Sequence, residues 1–120
     1  MKNTDLNQLE LLIKRITQFR DERDWKRFHN PKDMALSLVL EAAEVMEHFQ
    51  WKTPEESSLH VKKNKDSVAE ELSDVLYWVL LLSHDLDIDI VKAFEEKMRK
   101  NEKKYPVHQA KGSSKKYTEY

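Results

Sequence analysis

The sequence predicts an all-α protein, a four-helix bundle that assembles into an oligomer, and three observations carry that expectation. Only one of the 120 residues is glycine, Gly112, close to the C-terminus. Tight hairpins, Rossmann turns and P-loops need glycine for positive φ or close backbone approach, so its scarcity argues against them. Apolar residues recur at helical spacing through most of the chain. Asn30-Pro31 and Thr53-Pro54-Glu55-Glu56 are helix-start signals, the second a capping box.

Taken in order, Asp5 is expected to cap a first helix running to about Trp25. Its stripe is Leu6, Leu9, Ile13, Ile16 and Phe19–Arg20, with charge on the opposite face. The segment Asp24 to Asn30, aromatic and basic, ends it. The second helix is expected from Pro31 to about Trp51. The capping box at Thr53 starts a short helical segment, and the polar run from His60 to Asp66 reads as a break or loop. A third helix covers roughly Ser67 to Asp85. Leu72, Val75, Leu76, Val79 and Leu82 form one apolar face, and Tyr77, Trp78, Leu80 and Leu81 cover most of the rest. Such a helix must be buried all round, which four modest helices cannot do, so self-association through it is expected. Asp87 or Asp89 caps a fourth helix, roughly Ile90 to Lys104, ended by Tyr105-Pro106. Residues 1–107 read as one domain and 108–120 as a flexible polar tail.

Composition narrows the function classes. Charged residues make up 36%, yet the net charge is −1, so no global field favours a nucleic-acid polymer. The absence of cysteine excludes thiolate metal sites and thiol catalysis and fits a reducing cytoplasm. The longest apolar run, Val75 to Leu82, is too short to span a bilayer, and MKNTDLNQLE has no apolar signal core.

The chemistry is concentrated in two acidic pairs set into apolar helices. Glu41 and Glu44 lie three apart, as do Glu71 and Asp74, so each pair shares a helix face. A single such pair is usually a solvated face. Here Glu41 sits among Leu38, Ala42 and Val45, and Asp74 among Val75, Leu76 and Trp78. Four carboxylates meeting in a core resist ionising, and a cation removes the conflict. All-carboxylate ligation favours Mg²⁺, with Mn²⁺ as a substitute, over zinc or copper. A di-iron bundle is disfavoured because no Glu-x-x-His occurs. Asp85, Asp87, Asp89 and Glu96 follow an EF-hand-like frame, but Ile90 stands where its glycine belongs, so the aspartates read as helix caps. Trp25 and Trp51, at helix ends beside basic residues, suit stacking against a planar ligand. Tyr77 and Trp78 read first as core. His29 is equally a ligand contact or a loop histidine, and Lys97, Asn101 and Lys104 are a solvated face or a phosphate grip.

Together these residues resemble the MazG-type all-α nucleoside triphosphate pyrophosphohydrolases, whose motif is Glu-Glu-x-x-Glu followed by Glu-x-x-Asp. Glu41, Glu44, Glu71 and Asp74 match it, while Leu40 replaces the first glutamate. The short single-domain branch that includes dCTP pyrophosphatases is similar in four further segments: Arg23 to Pro31, Glu41 to Trp51, Glu71 to Leu76 and Lys97 to Pro106. The resemblance covers about residues 6–107. It implies a helical tetramer and Mg²⁺-dependent cleavage of a nucleoside triphosphate to monophosphate and pyrophosphate. It also implies Glu41, Glu44, Glu71 and Asp74 as metal ligands, Trp25 and Trp51 at the base, and Lys97 and Asn101 on the substrate. Trp78 stands where the vertebrate dCTP enzymes carry tyrosine, and Ile16 where they carry a pocket histidine.

The function expected is Mg²⁺-dependent hydrolysis of dCTP-like nucleotides in the service of nucleotide-pool cleaning. Trp25, His29, Trp51 and Trp78 would surround the base. Glu47, one turn beyond Glu44, is either the catalytic base or a surface glutamate. The alternatives are a dUTP- or dUDP-type phosphohydrolase on the same scaffold, and a non-enzymatic helical oligomerisation module.

Overall fold

The computed structural model describes residues 7–120, and the described residues are helical with no strand. The chain divides after Asp87 into two compact units.

The first unit is built from α1 (Gln8–Glu22), α2 (Pro31–Glu47) and α3 (Pro54–Asp85), with α3 packed against both of the others. Asp5, the expected first cap, lies outside the described residues. Asn7 caps α1 instead, its side chain accepting from the Glu10 amide at 2.8 Å. The helix ends at Glu22, three residues short of Trp25. The exit is made by Asp24 at φ 53°, a left-handed position that aspartate tolerates and glycine more often fills. A 3₁₀ turn, Lys26–Phe28, leads to Asn30, which caps α2 through the Asp33 amide with Pro31 in the first turn. α2 stops at Glu47 rather than continuing to Trp51; His48 to Trp51 form turns.

α3 is longer than the sequence suggests. The capping box forms as expected, Thr53 Oγ1 accepting from the Glu56 amide and Glu56 Oε1 from the Thr53 amide. The helix then runs through the polar 60–66 segment, where a break or loop was expected, with one kink at Asn64 (φ −128°, ψ 32°). Asn64 Nδ2 donates to the His60 carbonyl at 3.1 Å, supplying a side-chain donor at the irregular turn. No glycine or proline lies in that run, so nothing in it ends a helix.

The core of this unit is small: Met34, Val68, Leu80 and Leu81 are buried, together with Ser83 and Arg20. Ser83 satisfies its hydroxyl by donating to the Val79 carbonyl at 2.7 Å. Arg20 donates to both Asp85 oxygens, at 2.7 and 2.9 Å. Of the three aspartates read as caps, Asp85 is thus an ion-pair partner and Asp87 takes a left-handed turn at φ 56°. Only Asp89 caps a helix, accepting from the Lys92 amide.

The second unit contains α4 (Ile90–Lys104) and a one-turn helix, α5 (Val107–Ala110). α4 keeps the boundaries expected of it, with Tyr105-Pro106 ending it. Tyr117 and Tyr120 both pack edge-on against Tyr105.

Candidate active site

The site is assembled where α2 and α3 pack. Glu41 and Glu44 come from α2, Glu71 and Asp74 from α3, and one carboxylate oxygen of each lies within 4.8 Å of those of the others. Their i,i+3 spacing turns each pair to one helix face, and α2 against α3 brings the faces together.

The electrostatics of this cluster are unfavourable without a counter-ion. Partial burial pushes Glu41 up from the ordinary carboxylate range, and the Glu44 carboxylate adds to it. A hydrogen bond shared with Glu44, then burial and the charges of Glu44, Asp74 and Glu41, push Glu71 up to about 7. Glu41 Oε2 is buried with no hydrogen-bond partner. A buried carboxylate oxygen without a donor is costly, and a cation is what a set of acceptor-only oxygens can bind. The donor set fits a hard divalent ion such as Mg²⁺ or Mn²⁺.

Beside the acids, between α1 and α3, is an open cavity of about 900 Å³. Ile16, Phe19 and Trp25 line one side, and Asp74, Tyr77 and Trp78 the other. Asp74 therefore belongs to the carboxylate cluster and to the cavity wall. Phe19 sits edge-on to Trp25 and Tyr77, and Tyr77 edge-on to Trp78, so the aromatic rings brace one another. Arg15 also lines the cavity. No sequence signal marked it, since Arg15 lies off the apolar stripe of α1, on the side read as charged.

The remaining sequence-derived candidates are dispersed. His29 packs edge-on to Trp78 with ring centroids 5.4 Å apart, and does not itself line the cavity. Trp51, in the turn after α2, is 87% exposed. Glu47 is the last residue of α2 and is exposed. Lys97 and Asn101 lie one turn apart on α4, in the second unit. Among the described residues, no helix is long and apolar enough to cross a membrane.

Residues 36–120 match the MazG-like family, a stretch that contains all four acids and continues through α5 to the C-terminal residue. dCTP pyrophosphatase 1 of Rattus norvegicus and that of Homo sapiens are each 41% identical over 110 residues, which is 89% of this chain. The chain spans about 65% of the length of those relatives. A pyrophosphatase from Archaeoglobus fulgidus, known from its crystal structure, superimposes with a TM-score of 0.81 at 36% identity, over 88% of this chain and 99% of that one. On the match to its acidic helices and everything that follows them, the chain belongs to the MazG-like family.

Proposed function

We propose that the chain is a Mg²⁺-dependent nucleoside triphosphate pyrophosphohydrolase that cleaves dCTP-like deoxynucleotides to the monophosphate and pyrophosphate. The observation that carries this reading is the four-carboxylate cluster, with its orphaned Glu41 oxygen, sharing Asp74 with an aromatic cavity. An ion site next to a stacking surface suits a ligand with an anionic chain at one end and a flat ring at the other. The two dCTP pyrophosphatases at 41% identity favour cytosine over the dUTP-type alternative.

In this reading Glu41, Glu44, Glu71 and Asp74 hold the ion. When bound, the ion supplies charge neutralisation at the phosphates and acidifies a water. Trp25 and Trp78 offer the base apolar ring surface, and Ile16 and Phe19 keep that end dry. Trp51 contributes a further stacking face. Glu47 takes the proton of the attacking water. Water adds to the α-phosphorus as the bond to the bridging oxygen breaks, and pyrophosphate leaves. Lys97 and Asn101, one turn apart on α4, are the phosphate-binding candidates of the second unit.

The same reading includes a homo-oligomer, a tetramer, that works in the cytoplasm to clear the nucleotide pool. Leu36, Val39 and Leu40 on α2 and Leu72 and Leu76 on α3 are between 41% and 61% exposed, an apolar surface that a second copy would cover. A panel of NTPs and dNTPs with Mg²⁺, analysed by chromatography, tests the activity. Pyrophosphate with a matching monophosphate is expected, most from dCTP; orthophosphate with a diphosphate would overturn it.

A further inference from the structure

The cavity between α1 and α3 has two chemically different ends, and Arg15 stands at one of them. Arg20, near the end of α1, pairs with Asp85, the last residue of α3, and Phe19 meets Tyr77 edge-on. The two helices therefore run the same way past each other. One turn back along each, Arg15 comes level with Ser73 and Asp74, and all three line the cavity. That level is the acidic end, because Asp74 belongs to the carboxylate cluster. Phe19, Trp25, Tyr77 and Trp78 make the aromatic end further along. Ser73 directs its hydroxyl proton to the Ala69 carbonyl at 2.7 Å, so at the acidic end the donors aimed at a ligand come from Arg15. The ion pairs among the described residues do not engage Arg15, which is exposed.

We propose that Arg15 is a substrate-binding residue of the first unit, its guanidinium pairing with non-bridging oxygens of the triphosphate. This rests on the nucleotide reading above and adds to it a cation for the phosphate chain. A base at the aromatic end and an ion held by the acids stretch the ligand along the cavity, and its phosphates then pass the level of Arg15. One divalent ion offsets only part of the negative charge that four carboxylates and a triphosphate bring together. A guanidinium adds a fixed positive charge, and its planar fork matches two phosphate oxygens at once. The position of Arg15, one turn short of the ring cluster, favours the phosphates over the base edge.

The test is steady-state hydrolysis by the full chain with Mg²⁺, comparing the wild type with Arg15→Gln and Arg15→Lys. Position 15 is an exposed helix site and glutamine is a good helix former, so the melting temperature should hold. In Arg15→Gln, KM should rise about 10- to 100-fold, as for a lost charge-assisted hydrogen bond. The factor should be the same for every triphosphate that the wild type cleaves. Arg15→Lys, which keeps the charge and loses the fork, should fall between the two. Two inhibitors, each carrying one half of the ligand, locate the contact. Inorganic tripolyphosphate should lose affinity for Arg15→Gln by about as much as the nucleotides do, and deoxycytidine should lose none. Tripolyphosphate inhibition equal to that of the wild type would overturn the proposal. So would a KM rise confined to dCTP, which means base reading, or an equal loss for deoxycytidine, which means packing of the arginine stem. Failure of the enzymatic reading is distinguishable: the wild type would then hydrolyse no triphosphate, whereas failure of this proposal leaves Arg15→Gln as active as an active wild type.

Discussion

The Arg20–Asp85 pair and the Glu41–Glu44–Glu71–Asp74 cluster both crowd charge inside the same unit, and they balance it differently. In the pair, a two-pronged donor meets two acceptor oxygens, and each partner favours the charged form of the other. In the cluster, four acceptors meet with no donor except a shared proton, and two of them are pushed towards the neutral acid. The pair balances its charge within the fold, although Arg20 Nε is buried without a hydrogen-bond partner. The cluster leaves its negative charge unbalanced, which is the arrangement of a candidate cation site.

The comparison breaks first at the pair. Arg20→Leu alone leaves Asp85 partly buried without its partner and is expected to cost roughly 3–5 kcal/mol in denaturant unfolding. Arg20→Leu/Asp85→Leu should recover most of that loss, because no uncompensated charge remains. A double variant as unstable as the single one would mean that packing of the arginine stem, not charge pairing, dominates there.

The cluster should respond in the opposite sense. Glu41→Gln or Asp74→Asn removes a ligand and a repulsive charge at once. Turnover of dCTP is expected to fall roughly 10²–10³-fold, the range for losing one electrostatic contact in a transition state, while the melting temperature holds or rises. Near wild-type turnover in either variant would remove these residues from the metal site.

How much of this was legible in the sequence follows the range of each interaction. The caps at Asn30 and Thr53, the bounds of α4 and both acidic pairs are readable because each depends on residues three or four apart. Arg20 and Asp85 are 65 positions apart, and no local pattern links them; Arg20 reads only as part of a stripe that otherwise runs apolar. The segment 60–66 looked like a loop because it is polar, but polarity without glycine or proline only puts a helix face in water. Asn64 kinks α3 and does not end it. The His48 Nδ1–His60 Nε2 contact of 2.8 Å was invisible for the same reason as the ion pair: it depends on how α3 folds back along α2.

A smaller effect is expected at the edge of the site. Trp51 is exposed, so Trp51→Ala should leave stability within about 0.5 kcal/mol. If it stacks on the base, KM should rise by a similar factor for every nucleotide, corresponding to about 1–3 kcal/mol, because stacking is indifferent to base identity. Unchanged KM values would take Trp51 out of the site; a rise confined to one base would mean edge reading instead.

The pair and the cluster are also separated by pH. The Arg20 guanidinium holds the Asp85 carboxyl below its ordinary value, so the stabilisation from the pair is present above about pH 3.8 and is lost as pH falls through the lower folded value. Glu71 is raised to about 7 from 4.5, so its contribution is fully present below pH 4.5 and is lost as pH rises through about 7. Between pH 5 and 8 the pair is therefore constant and the cluster changes. The most direct measurement is the melting temperature of the wild type minus that of Glu71→Gln, at pH 5 and pH 8, with and without Mg²⁺. Without Mg²⁺ the wild type should fall relative to Glu71→Gln as pH rises, and at pH 8 Mg²⁺ should raise the wild type and not the variant. A difference that is the same at both pH values and indifferent to Mg²⁺ would contradict the claim that these four carboxylates form a cation site.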